Sequence, residues 1–67
     1  MLLSTVKVNV KKGETITLDY SKKVRAFFLQ EGASEGLQLK KPVQVREGEV
    51  FTHTATEDSI FGVFTSN

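Results

Sequence analysis

The chain has 67 residues, one histidine and no cysteine, and its formal net charge is +1 at pH 7. A chain of this length forms one domain with a thin core. The missing thiols exclude disulfides and thiolate metal sites, two of the devices that reinforce small domains. We therefore expect one domain over residues 1–67 that gains stability by self-association and holds no metal and no cofactor.

The predicted elements are β-strands, because apolar and polar residues alternate with a period of two. The first strand ends at Val10, and a turn over Lys11–Glu14 follows, where Gly13 supplies a positive φ. The apolar members of the first two strands are Val6, Val8, Val10, Ile16, Leu18 and Tyr20, and the polar members are Thr5, Lys7, Asn9, Thr15, Thr17 and Asp19. This pattern predicts a hairpin.

The third predicted strand, over 24–30, is apolar on both faces. Such a strand lies in the middle of a sandwich or is covered by a partner. Residues 32–36 form a flexible connection, 37–39 at most a short strand, and further strands are predicted at 43–45, 50–55 and 60–65. Six to seven short strands indicate a small all-β, antiparallel sandwich or barrel. The predicted core is Val8, Val10, Ile16, Leu18, Phe28, Val45, Phe51, Val63 and Phe64.

An internal repeat aligns residues 8–29 with residues 43–64 at an offset of 35 positions. Its first ten positions share Val, Val, Gly, Glu and Thr, and the same offset places Phe28 on Val63 and Leu29 on Phe64. Two three-strand units, each with one apolar face, would then pack by pseudo-two-fold symmetry. The alternative is that two unrelated hairpins share valines and a turn glycine.

The two parts of the chain differ in charge. Before Pro42 the net charge is +4, and from Pro42 onward it is −3. In the repeat, basic residues align with acidic ones, and the residues predicted to interact are Lys11, Lys12, Lys22, Lys23, Arg25, Glu47, Glu57 and Asp58. A molecule with a basic and an acidic pole can meet its copies head to tail. The alternative is that these turns carry ordinary solvated charges.

Residues that would indicate catalysis are few. His53 is the one histidine, and it lies within a predicted strand, where packing is its expected role. Glu57 and Asp58 are adjacent in a turn, where acidic residues serve solvation and turn hydrogen bonds. No nucleophile elbow, phosphate loop or dinucleotide fingerprint occurs in the sequence. We expect no enzyme and assign no catalytic, cofactor-binding or metal-binding residue.

The segment Val8–Leu18 is similar to strand pairs in cupredoxin-like and immunoglobulin-like sandwiches, and the strand rhythm is similar to that of a cupin. The copper ligands, the Cys–Trp–Cys framework and the cupin histidines have no counterpart in the chain. The resemblance therefore implies a β-fold and no function.

The sequence favours a non-enzymatic structural or assembly protein that acts as a homo-oligomer or docked on a larger repeating assembly, such as a virion or capsid-decorating subunit. The alternative is a small β-barrel that binds single-stranded nucleic acid through its lysine-rich turns, and a cupin-like ligand-binding module ranks third. The start of the chain lacks the pattern of a signal peptide. We expect the protein to act in the cytoplasm or in a virion assembled there, with protein partners and no membrane.

Overall fold

A computed structural model describes residues 3–66. The elements are β1 (Leu3–Val10), β2 (Thr15–Asp19), a single 3-10 turn η1 (Tyr20–Lys22), β3 (Val24–Glu31), β4 (Val43–Gln44), β5 (Val50–Thr54) and β6 (Ser59–Ser66). The predicted all-β fold with almost no helix is confirmed.

The strands form two antiparallel sheets. The large sheet has the order β1-β6-β3-β4, and the small sheet pairs β2 with β5. The small sheet covers one face of the large sheet, so the architecture is a sandwich, one of the two that the strand pattern allows. Residues 37–39 form no strand, and Leu39 makes only an isolated parallel bridge to Leu29.

The core lies between the two sheets. Phe27 and Phe61 are 0% exposed and form its centre. The other buried hydrophobic residues are Val10, Ile16, Leu18, Val24, Leu29, Val45, Ala55 and Val63. Val8 and Phe51 are partly buried against them. Most of the predicted core is therefore correct.

The prediction that Phe28 and Phe64 belong to the core is wrong. Phe64 follows the buried Val63 on β6 and therefore points to the opposite face, and a β-bulge on β3 accounts for Phe28. Between Val24 and Ala26 the register of β3 against β6 shifts, which leaves Arg25 as an extra residue on β3. One extra residue reverses the face that the following side chains take. Phe27 consequently points into the core, and Phe28 points to the other side of the large sheet. Phe64 pairs with Ala26 and points to that same outer side.

The predicted hairpin of the first two strands is wrong, because β1 pairs with β6 in the large sheet and β2 pairs with β5 in the small sheet. The two Gly-Glu turns of the repeat connect strands of different sheets, and they have the same geometry. Gly13 has φ 86°, the Glu14 N–H donates to the Lys11 carbonyl at 2.9 Å, and the Lys11 N–H donates to Glu14 Oε1 at 2.8 Å. The second turn repeats this with φ 84° at Gly48 and with distances of 2.9 and 2.7 Å between Arg46 and Glu49. The turn glycines are thus equivalent, as the repeat predicts.

The strand pairing is also symmetric, but with one correction to the alignment. In the small sheet Thr17 pairs with Thr52, its own counterpart at an offset of 35. In the large sheet the bulge reduces the offset to 34, so Phe27 corresponds to Phe61 and the outward Phe28 to Gly62. The ungapped match of Phe28 to Val63 and of Leu29 to Phe64 is therefore wrong by one residue. Duplication as the origin of this symmetry stays a prediction.

The end of β2 provides a testable electrostatic contact. Asp19 Oδ1 accepts hydrogen bonds from the Ser21 hydroxyl at 2.8 Å and from the Ser21 N–H at 2.9 Å. These two bonds, with a smaller contribution from Lys22, hold the pKa of Asp19 below its usual value. The ionised Asp19 carboxylate therefore stabilises the folded state at pH values above the pKa that Asp19 has in the unfolded chain. This stabilisation is lost as the pH falls through the lower pKa of Asp19 in the folded state.

We expect Ser21→Ala to raise the pKa of Asp19 toward its usual value, because the hydroxyl donor is removed while the backbone donor remains. An NMR titration of the Asp19 carboxyl carbon measures this shift. Ser21→Thr is the matched control, since it keeps a hydroxyl and should keep the pKa low. An Asp19 pKa that is the same in all three proteins would show that the hydroxyl does not stabilise the carboxylate.

Candidate interaction surface

The large sheet has one face without a second layer. On β3 and β6, alternate side chains point away from the small sheet, and four of them are apolar: Ala26, Phe28, Ile60 and Phe64, named here the outer patch. All four are half-buried, so each keeps contact with solvent. None is among the hydrophobic residues of 3–66 that pack on the core.

Phe28 and Phe64 form the centre of the outer patch, next to Gly62 on β6. The rings of Phe28 and Phe64 lie 5.8 Å apart between centroids at an interplanar angle of 34°. Gly62 pairs with Phe28 across the strands, and a Cβ at Gly62 would overlap the Phe28 ring. A glycine within a strand often marks such a close approach. The Phe28 ring therefore lies across the backbone of β6, beside the tilted ring of Phe64.

Polar residues surround the outer patch. On β1, Thr5 pairs with Phe64, Lys7 with Gly62 and Asn9 with Ile60, and all three β1 residues are exposed. On the opposite side, Gln44 of β4 pairs with Ala26. An apolar centre with a polar rim is the usual anatomy of a protein interface.

The charged turns do not separate into a basic end and an acidic end. Antiparallel pairing of β2 with β5 brings the Lys11–Lys12 turn beside the Glu57–Asp58 turn, where the Lys12 N–H donates to Asp58 Oδ1 at 2.9 Å. At the other end of this pair the Tyr20 N–H donates to the Glu49 carbonyl at 3.2 Å, so the segment with Lys22 and Lys23 lies at the same end as the Glu47–Glu49 turn. Equivalent turns do carry opposite charges, but each end holds one basic and one acidic turn. A head-to-tail contact of whole poles is therefore not favoured.

The Arg25 side chain makes its contacts within the domain, with Tyr20 and with the backbone. Its guanidinium carbon lies 3.7 Å from the centroid of the Tyr20 ring, and Nη1 donates to the carbonyls of Tyr20 at 2.9 Å and Val24 at 3.2 Å. The Arg25 carbonyl accepts from the Val45 N–H at 2.9 Å. Arg25 thus stabilises the bulge and η1, and it is not a freely available cation.

His53 packs between aromatic rings. Its ring centroid lies 5.4 Å from that of Phe27 and 6.4 Å from that of Phe51, to which it is nearly parallel. Nδ1 lies 3.4 Å from the Glu35 carbonyl oxygen, and the buried Nε2 has no hydrogen-bond partner among residues 3–66. These contacts describe a packing residue.

Other features of residues 3–66 offer less to a partner. No three His, Asp or Glu side chains in this range lie close enough to bind a metal, and no helix in it has the length and hydropathy needed to cross a bilayer. One hollow of about 250 Å³ lies beside β4, and its lining residues are Gly36, Leu37, Gln38, Lys41, Pro42 and Val43.

Comparisons of the chain with protein-family models, with curated proteins and with solved structures find no match.

Proposed function

We propose that this protein is a non-enzymatic assembly protein that works as a homo-oligomer, or docked as a small subunit on a larger repeating assembly such as a virion shell. The outer patch makes the contact. One observation carries the proposal: two phenylalanines and an isoleucine occupy a sheet face that the second layer of the sandwich does not cover.

Burial of the outer patch supplies the affinity. Complete burial of one Phe or Ile side chain stabilises by about 1.5–3 kcal/mol relative to full exposure, and the half-buried patch residues still have part of this to gain. Two sheets pack face to face at about 10 Å, a distance that side chains such as Phe28 and Phe64 fill. Monomeric domains seldom leave large apolar patches open. Lys7 and the other rim residues then contribute to specificity.

Single-stranded nucleic acid is the second candidate, and one observation favours it. Phe28 and Phe64 are not used by the core, so both rings are available for base stacking. The charge on this face is less suitable, because Lys7 is the one basic side chain that the described strands place beside the rings. The lysine-rich turns lie at the ends of the sandwich and next to acidic turns.

We expect Phe64→Glu to abolish association through the outer patch and so to lower the mass of the oligomer, because a charge at the centre of the patch would have to be buried without a partner. Light scattering coupled to size exclusion measures the mass at low and high salt. The matched control is Thr52→Glu, which places the same charge on the exposed face of the small sheet and should leave the mass unchanged. A wild-type protein that is monomeric at every concentration would contradict homo-oligomerisation.

The same samples separate the two candidates when a fluorescent single-stranded oligonucleotide is added. An assembly protein shows no change in oligonucleotide anisotropy. A nucleic-acid-binding protein is monomeric, binds the oligonucleotide, loses binding in Phe64→Glu, and binds more weakly as salt rises. An oligomer whose mass is insensitive to Phe64→Glu would show that the contact lies elsewhere on the domain.

A further inference from the structure

The large sheet has two edges that correspond in the repeat but differ in length and protection. β1 forms one edge with eight residues, and it pairs with β6 along its whole length without a register shift. β4 forms the other edge with two residues. Unprotected edge strands tend to pair with other chains, and most proteins therefore block them.

The segment that precedes β4 blocks that edge. Lys40 donates its N–H to the Leu29 carbonyl at 2.7 Å, and Leu39 bridges Leu29, so the free side of β3 is covered there. The residues that lead into β4 are Lys40, Lys41 and Pro42. Lysine and proline are two of the residue types that commonly prevent edge pairing.

The corresponding part of β1 has less of this protection, because it contains one lysine and no proline. At the offset of 35, Thr5, Val6 and Lys7 replace Lys40, Lys41 and Pro42. Val6 pairs with the buried Val63 and so lies on the core side of the sheet, yet it is 46% exposed because the small sheet does not reach it. Within residues 5–10, no described segment other than β6 makes backbone hydrogen bonds to β1.

We propose that the β1 edge pairs in antiparallel orientation with β1 of a second copy, centred on Val6. This inference rests on the proposed assembly function and names its first contact. The occupant is a second copy with its β1 edge, because the β4 edge is blocked and identical edges pair through a two-fold axis. Centring on Val6 places Lys7 opposite the partner's Thr5, whereas centring on Lys7 would oppose two like charges.

The dimer has a continuous sheet of eight strands. Neighbouring strands lie about 4.8 Å apart, so the two β6 strands are roughly 14 Å apart across the dimer axis. A two-fold axis perpendicular to the sheet keeps both outer patches on one face, where they form a double surface for higher assembly. On the other face, Val6 and its counterpart in the second copy come together between the two small sheets and lose their exposure.

The test uses charge pairs at the dimer axis. We expect wild-type protein to dimerise and both Val6→Lys and Val6→Glu to be monomeric, with the dissociation constant raised at least about tenfold by like charges that meet at the axis. An equimolar mixture of the two variants should recover dimers, because opposite charges then meet. Sedimentation velocity across a concentration series measures all four samples. Val50→Lys is the matched control, because Val50 is 55% exposed on β5 and should leave the dimer intact.

The outcomes also separate this inference from the role of the outer patch. A dimer that survives Phe64→Glu but not Val6→Lys supports the β1 contact alone. An oligomer that survives Val6→Lys, or a mixture that stays monomeric, overturns the β1 contact and leaves the patch as the interface. Should the Val6 variants fail to fold, amide hydrogen exchange of wild-type protein decides: the outward amides of β1 gain protection with concentration in a β1-paired dimer, and unchanged exchange overturns it.

Discussion

Phe27→Ala is expected to lower the free energy of unfolding by about 3–5 kcal/mol, enough to leave much of a marginally stable small domain unfolded. Phe27 is 0% exposed at the centre of the core. Its ring contacts the Phe51 ring at 5.7 Å and the His53 ring at 5.4 Å between centroids, so its removal leaves a cavity between the two sheets. Urea denaturation followed by circular dichroism measures the loss.

Phe28→Ala is the matched control, one residue further along the same strand. Phe28 lies on the outer patch against Phe64 and the Gly62 backbone, and truncation there opens no cavity in the core. We expect a loss of about 1 kcal/mol, which is typical of one aromatic pair. The comparison is made at a protein concentration low enough to keep both variants monomeric. Equal losses would mean that β3 presents both rings to the same environment.

The alternation of residue types was sufficient to locate the strands, but it was not sufficient to assign the faces of β3. The six strands agree with the predicted segments within about two residues, because β-branched and aromatic residues are frequent in them and turn residues bound them. Residues 24–30 are apolar on both faces, so alternation cannot distinguish Phe27 from Phe28. The bulge at Arg25 determines which of the two rings faces the core. Arg25 contacts Tyr20 and Val45 at this bulge, and the alternation of residue types in β3 does not indicate these contacts.

The candidate site was predictable only in part for the same reason. A third strand that is apolar on both faces predicts either a central strand of a sandwich or a strand covered by a partner. β3 is an inner strand of the large sheet, and a partner on its outer face stays a prediction. The charged turns were identified correctly as turns, but their neighbours depend on strand order. The pairing of β2 with β5 places Lys12 beside Asp58, a contact between residues 46 positions apart that the repeat alignment alone does not reveal.

The second large effect is expected for Gly32→Ala, at the start of the connection between the two units. Gly32 has φ 93°, and a Cβ there would meet the Ser59 hydroxyl and lie 2.5 Å from the Asp58 carbonyl oxygen. Ser59 is itself buried, and its hydroxyl bonds to the backbone of Ala33 and Glu57, so it cannot move aside without breaking these bonds. The left-handed backbone and the overlap each cost about 1–3 kcal/mol, and we expect a total loss of about 4 kcal/mol.

Gly13→Ala separates the two causes of that loss. Gly13 has nearly the same backbone conformation, with φ 86°, but nothing lies within 4 Å of the position that a Cβ would take. This variant therefore carries only the conformational cost, about 1–2 kcal/mol. The difference between the two variants in urea denaturation then measures the overlap with the β5–β6 turn. Losses of equal size would mean that the connection is not held against Asp58 and Ser59, and that the two units are joined more loosely than their contacts indicate.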